Sequence, residues 1–199
     1  MTRQRLVSCA CVAVLWLGAT VLAQSTPTPV RVVVRTDAGD IEIAIDTVHA
    51  PITAANFLKY LDGGHYKDAR FHRTVTLDNQ PKSPVKIEVI QGSVGADRNK
   101  DDFPPIQLER TNQTGLKHLD GTISMARGGA DSATSSFFIC IHDQPELDFG
   151  GKRNADGQGF AAFGQVVGGM DVVRKIHTSP ANEQTLQPPI RIMNIVRKP

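Results

Sequence analysis

Cysteine is nearly absent from this chain, and the little there is falls early. Of three cysteines in 199 residues, Cys9 and Cys11 precede the body of the sequence and only Cys140 lies within it. One thiol cannot close an internal disulfide, so the fold must hold by packing alone. A domain of this size needs no covalent staple. Net charge is lacking too. The chain carries 22 basic and 20 acidic side chains, and taking away Arg3 and Arg5 of the first five residues leaves 20 of each. A neutral surface offers no electrostatic footprint for nucleic acid or for anionic membranes. There is no internal repeat and no second core. What is plentiful is proline, at 12, and glycine, at 17. Both point to many turns between short strands.

The beginning has a composition of its own. Arg3 and Arg5 are followed by an uncharged apolar run, Leu6 to Leu22, ending in Val21-Leu22-Ala23. A basic start, an apolar stretch and small residues before a cut make an export signal, expected to span 1–23 with cleavage after Ala23. The run reaches only the lower limit for crossing a bilayer, so an uncleaved anchor is the competing reading. Residues 24–29, Gln-Ser-Thr-Pro-Thr-Pro, read as a short tether. The remainder, 30–199, is expected to be one domain.

Within it, Val30 to Arg35 is β-branched, and Ile41, Ile43 and Ile45 alternate with Glu42, Ala44 and Asp46. That period of two, broken by Thr36-Asp37-Ala38-Gly39-Asp40, predicts a hairpin over 30–46. Pro51 opens a helix, with Ile52, Ala55, Leu58 and Leu61 expected on its buried face and Gly63-Gly64 ending it. Strands are expected at 71–75, 87–91, 122–126, 136–141, 160–167 and 190–197. A second helix is expected over Met170 to His177, with Met170, Val173 and Ile176 on one face. The stretch 93–119 has little periodicity and is expected to be functional or a packed Ω-like segment. About eight short strands and two isolated helices suggest a closed antiparallel β-barrel with a helix over each end.

Four stretches, in order, resemble the cyclophilin family. They are Pro51-x-Thr53-x-x-Asn56-Phe57; Phe71-His72-Arg73 with Ile90-Gln91-Gly92; Ser124-Met125-Ala126 with Ser135-x-Phe137-Phe138-Ile139; and Phe163-Gly164-x-Val166-x-x-Gly169-Met170. Each is weak alone, but the ordered set is specific and spans nearly all of 30–199. The resemblance implies an eight-stranded barrel capped by two α-helices. It also implies peptidyl-prolyl cis-trans isomerase activity on X–Pro bonds of folding, exported polypeptides, in a periplasm or outside the cell. A proline-peptide binding module of the same fold is the alternative.

Such a reaction needs no nucleophile, metal or cofactor. The amide rotates against a barrier of ~18–20 kcal/mol set by delocalisation of the nitrogen lone pair. A catalyst need only hold the ring in an apolar pocket and favour the twisted state. A guanidinium, always charged and rigid, suits that task. The resemblance assigns the donor to Arg73, with Gln91 orienting it or the substrate backbone. It assigns the pocket floor to Phe138 and walls to Val89 and Leu147. Met125, Ala126 and Arg127 fall on the edge where an extended peptide would pair. Ser136 and Phe160 complete the expected substrate contacts. Alternation supports one of these placements independently: if Phe137 and Ile139 fill the barrel, Phe138 faces out.

The chain also departs from the family pattern. Glu88 stands where an aromatic pocket residue is common, Ser136 for a glutamine, Glu146 for a rim tryptophan or phenylalanine, and Phe160 for a histidine or tyrosine. The loop between Val75 and Glu88 is long. A Cys140–His142 hydrolase pair is conceivable on one strand face, although a cysteine in Phe-Phe-Ile-Cys-Ile is ordinarily a small core hydrophobe. Asn154 to Gly159 faintly resembles a calcium loop but lacks its closing glutamate, so no metal is expected. His65 and His72 read as structural. The expected form is a monomer, with no membrane contact once the signal is removed.

Overall fold

The computed structural model describes residues 29–95 and 103–199. The expected signal segment, and all of the tether but Pro29, lie outside the described residues. Nine strands are joined in one antiparallel sheet: β1 (Val30–Thr36), β2 (Gly39–Ile45), β3 (Ala69–Val75), β4 (Val89–Ser93), β5 (Thr122–Met125), β6 (Phe137–Cys140), β7 (Ala161–Gly168), β8 (Ala181–Asn182) and β9 (Thr185–Arg197). The spatial order is β1-β2-β7-β5-β6-β4-β3-β9, and β1 pairs again with β9, so eight strands close a barrel. Closure removes free sheet edges. The two-residue β8 hangs outside the ring on β9. Among the described residues no helix is long and apolar enough to cross a membrane.

The barrel is filled by alternate residues of its strands. Val32, Val34, Ile41, Ile43, Ile45, Phe71, Ile90, Ile123, Phe137, Ile139 and Phe163 are all fully buried in one cluster. Helix α1 (Pro51–Asp62) and helix α3 (Met170–His177) cover the barrel, with a four-residue α2 (Thr111–Thr114) between them in sequence. Val173 and Ile176 of α3 face inward as expected, with Met170 packed beside them.

The expected face of α1 holds only in its second half, where Leu58 and Leu61 are buried. Ile52 and Ala55 are exposed, and the buried side runs through Thr53, Ala54, Asn56, Phe57, Leu58, Tyr60 and Leu61. The largest rings decide the orientation. Phe57 packs against Tyr66, Phe137 and Phe163 with ring centroids 5.2–5.7 Å apart, and burying it outweighs burying Ile52. Nor does α1 carry a capping side chain at Ala50. Glu109 supplies the cap from afar, accepting from the Ile52 and Thr53 amides at 3.1 and 2.7 Å and from the Thr53 hydroxyl at 2.6 Å. Residues 103–119 are thus a packed segment rather than an open loop. Phe103 donates its amide to the Tyr60 hydroxyl, and Ile106 bridges to Ala133.

Candidate active site

The site begins with a break in strand regularity. In an unbroken strand Phe71 and Arg73 would share a face. Here Phe71 pairs with Gly92 while Arg73 pairs with the next residue, Gln91, so His72 is an extra residue in the ladder. This bulge lets Phe71 fill the barrel and turns Arg73 to the outer surface, the re-aiming that bulges provide. Gly92 answers Phe71 directly, since a Cβ there would lie 3.1 Å from the Phe71 ring and 3.2 Å from that of Phe137.

Outside the barrel, a second apolar cluster forms on the same strands. Val75, Ile87, Val89, Phe138, Cys140 and Leu147 pack together, with Ala126 and Phe160 against them. It bounds a cavity of about 230 Å³ lined by Arg73, Ile87, Val89, Gln91, Ala126, Arg127, Phe138, Leu147, Arg153, Asn154 and Phe160. That is smaller than the ~300–1,000 Å³ of drug-sized sites and suits one ring with its flanking backbone. Phe138 and Phe160 meet edge to face at 5.3 Å, forming an apolar corner. A larger groove of about 760 Å³ lies between loops 78–84 and 183–185 and shares Gln184 with the surroundings of Arg73.

Arg73 is held on two sides. Its Nη1 donates to Gln91 Oε1 at 2.8 Å, and its Nε and Nη2 donate to Gln184 Oε1 at 3.0 and 2.6 Å. Both acceptors are neutral amides, so the guanidinium keeps its whole charge. Three of its five N–H donors are used, which leaves two for a ligand. Burial lowers its pKa, and the positive field of Arg153 lowers it further, yet an arginine remains charged at any working pH.

Beneath the floor lies a hydrogen-bonded chain absent from the sequence reading. His118 is stacked parallel to Phe138 at 5.9 Å. Its Nδ1 lies 2.8 Å from Asp148 Oδ1 and its Nε2 3.0 Å from Ser124 Oγ. Burial pushes the Asp148 carboxyl up, but the hydrogen bonds and charge of His118 outweigh this and hold it below the usual range. The constellation has the order of a nucleophilic triad, but Ser124 is fully buried and His118 1 % exposed. No substrate atom reaches the hydroxyl, so the chain braces Phe138 from behind.

Most of the expected residues converge, and two do not. Arg73, Val89, Gln91, Ala126, Arg127, Phe138, Leu147 and Phe160 all line the cavity. Met125 does not: it pairs with Phe137 and is buried inside the barrel, because alternation on β5 turns Ser124 outward instead. Ser136 is also off the cavity, its carbonyl accepting from the Ala126 amide at 2.9 Å. Arg127 lines the wall but is committed elsewhere. It donates to Gly159 O and makes a forked pair with Asp156 at 2.8 and 3.0 Å. Gly159 is needed for this approach: its φ is +67°, and a Cβ would sit 2.5 Å from the Asp148 carbonyl carbon.

The departures from the family pattern are resolved in part. Glu88 is turned away, with Oε2 3.1 Å from His142 Nδ1, and Ile87 provides the wall in its place. Glu146 does not line the cavity, and its carboxylate accepts from the Lys152 amide at 2.8 Å. Arg153 and Asn154, on the connection between β6 and β7, enter the site unannounced. Sequence reasoning also missed Gln184 and Ile87. The only signal for Gln184 was a short polar turn before the last strand.

Cys140 is fully buried, and burial together with the fields of Asp148, Asp120 and Asp143 pushes its thiol well up. His142 lies beyond the end of β6 with φ +57° and is exposed. The hydrolase reading therefore fails: the thiol is inaccessible and the imidazole faces Glu88. Of the other histidines, His65 packs among Tyr60 and Phe103, and His72 is the bulge residue, its pKa lowered chiefly by burial. Among the described residues no three His, Cys, Asp or Glu side chains converge as a metal site.

A closed eight-stranded barrel with a small apolar cleft on its outer wall and an arginine at its edge is the class the fold defines. Residues 31–197 match the family described as cyclophilin type peptidyl-prolyl cis-trans isomerase/CLD. Peptidyl-prolyl cis-trans isomerase A of Dickeya dadantii is 40% identical over 169 residues, covering 84% of this chain and 81% of its own. Peptidyl-prolyl cis-trans isomerase B of Escherichia coli is 39% identical over 146 residues, 71% of this chain and 80% of its own. A cyclophilin-type isomerase of Cryptosporidium parvum superposes with a TM-score of 0.67 at 21% identity, covering 85% of this chain and 99% of the other. The chain belongs to the cyclophilin family, and its activity is peptidyl-prolyl cis-trans isomerisation.

Proposed function

We propose that Arg73 and the outer apolar cleft carry this isomerisation, and that the substrates are X–Pro segments of proteins folding after export. The observation that carries the mechanism is the position of Arg73. A cation fixed by two neutral glutamines, with donors to spare, borders a ring-sized cavity floored by Phe138. A proline ring seated on Phe138, between Val89, Ile87, Leu147 and Phe160, puts its amide nitrogen within the field of the guanidinium. When the bond twists, the nitrogen lone pair leaves the carbonyl and becomes an acceptor. A donor that binds this pyramidal nitrogen more tightly than the planar one lowers the barrier. No covalent step or proton transfer is needed. The Cryptosporidium relative was crystallised in the presence of the dipeptide Ala-Pro, which supports proline-containing ligands for this fold.

Export rests on the first 23 residues and is tested by sequencing the mature N-terminus, expected at Gln24; retained Met1 would support an anchor instead. For the mechanism, Arg73→Ala should lose at least ~100-fold in kcat/KM, about 2.7 kcal/mol of transition-state stabilisation. Arg73→Lys should recover little of it, because an ammonium cannot reach both glutamines and the substrate. Exchange NMR on an Ala-Pro peptide reads both rates, and near-normal turnover in Arg73→Ala would refute the assignment.

A further inference from the structure

The cleft holds more positive charge than isomerisation of a neutral peptide needs. Three arginines line it, and no aspartate or glutamate does. Arg127 is neutralised by Asp156. Arg73 and Arg153 are not: their side-chain partners are all neutral. The Arg153 guanidinium spends a single nitrogen on the protein, with Nη1 lying 3.0 Å from Gln80 Oε1, 2.7 Å from Ser83 Oγ and 2.6 Å from Val85 O. These bonds tie the long 76–86 loop to the β6–β7 connection and fix the guanidinium at the mouth of the cleft. Carboxylates nearby are engaged elsewhere: Asp148 with His118, Glu146 with Lys152, Glu88 with His142.

We propose that Arg153 selects an acidic side chain beside the proline of the substrate peptide. A glutamate or aspartate next to the ring brings the two acceptor oxygens that this side of the cleft lacks. They can accept from the N–H groups on the unused edge of the Arg153 guanidinium. A lysine in the same place meets two desolvated cations. Burial lowers the pKa of both arginines, and each feels little compensating negative charge, so the same fields that favour an anion reject a cation. This selection rests on the cleft being the site of isomerisation.

Two series of tetrapeptides test it, with Glu, Gln or Lys placed immediately before the proline in one and immediately after it in the other. Exchange NMR on the intact enzyme avoids the sequence preference of a coupling protease. In at least one series kcat/KM should fall from Glu through Gln to Lys, with roughly 10-fold between the ends at 50 mM salt. The gap should narrow at 500 mM salt, where screening is short-ranged. It should persist in Arg153→Lys and close to within about 2-fold in Arg153→Met. Equal rates for all peptides would overturn the selection while leaving isomerisation at this cleft intact. A gap that survives Arg153→Met would remove Arg153 from it. Failure to catalyse any peptide would instead break the reading of the cleft itself.

Discussion

Phe137 and Phe138 are neighbours in one strand and belong to two different machines. Phe137 points into the barrel, edge-on to Phe57, Tyr66 and Phe71 at 5.6–5.8 Å. Phe138 points out, onto a smaller cluster with Phe160, Val89 and Leu147. Both are buried, at 0 % and 5 % exposure, so burial alone does not separate them. What differs is the company. The inner cluster is apolar and closed on all sides, as a packed interior requires. The outer one is bordered by arginines and amides and backed by the hydrogen-bonded His118. A half-dry, polar-rimmed cluster is a poor core and a good receptor.

The sharpest way to break this comparison is to empty each ring's place in turn. Phe137→Ala should destabilise the fold by about 3–5 kcal/mol, because the cavity it leaves is enclosed by other rings and cannot refill. Phe138→Ala should cost clearly less, since water and the side chains of the open cleft can enter the space. Its main effect should be on KM for X–Pro peptides. Urea unfolding and kinetics on the two variants check this. Equal loss of stability would mean that the outer cluster is simply more core.

Alternation along β6 made the Phe137–Phe138 division readable in the sequence, since a period of two needs no knowledge of partners. Strand positions were readable for the same reason, and α3 from the helical spacing of Met170, Val173 and Ile176. The direction of Arg73 was not, because it depends on a register slip against β4. A bulge is a property of two strands, and neither carries its signature alone. Gln184 and Arg153 were hidden for a related reason. Arg73 and Gln184 are 111 residues apart, and Arg153 lies about 70 residues from its Ser83 and Val85 acceptors. Local pattern says nothing about such closures. The expected face of α1 failed in its first half, and differently: Ile52 fitted the period, but large rings at Phe57 and Tyr60 set the rotation.

A smaller effect distinguishes the two glutamines on Arg73 from ordinary surface contacts. If neutrality of the acceptor matters, Gln184→Glu should lower kcat/KM by roughly 10-fold, because a carboxylate would hold and partly cancel the guanidinium. Held beside a cation, that new carboxylate titrates below its usual ~4.3. Activity should therefore stay low across neutral pH and recover only as pH falls below about 4. Gln184→Ala, which merely loosens Arg73, should show no such acid recovery. A flat ratio of Gln184→Glu to wild type from pH 3 to 8 would sink the argument from charge and leave Gln184 a structural contact.

The smallest expected effect concerns the wall that the cleft shares with its loop. Asp156 has its pKa pulled down to about 2 by the hydrogen bond from Arg127, with help from the Gln158 amide. In the unfolded chain an aspartate titrates near ~3.9. The folded protein therefore binds the proton more weakly than the unfolded one. The pair's contribution to stability is whole above about pH 4 and fades as pH falls towards 2. Asp156 is solvent-exposed, so salt should shrink the contribution further. Asp156→Asn should thus lower Tm by a small amount at pH 6, and the difference from wild type should shrink steadily as pH falls from 4 to 2. Calorimetry over that range decides the matter. A Tm difference that does not change with pH would mean that the asparagine acts through loop geometry, with the Arg127–Asp156 charge pair contributing nothing to holding this wall of the cleft.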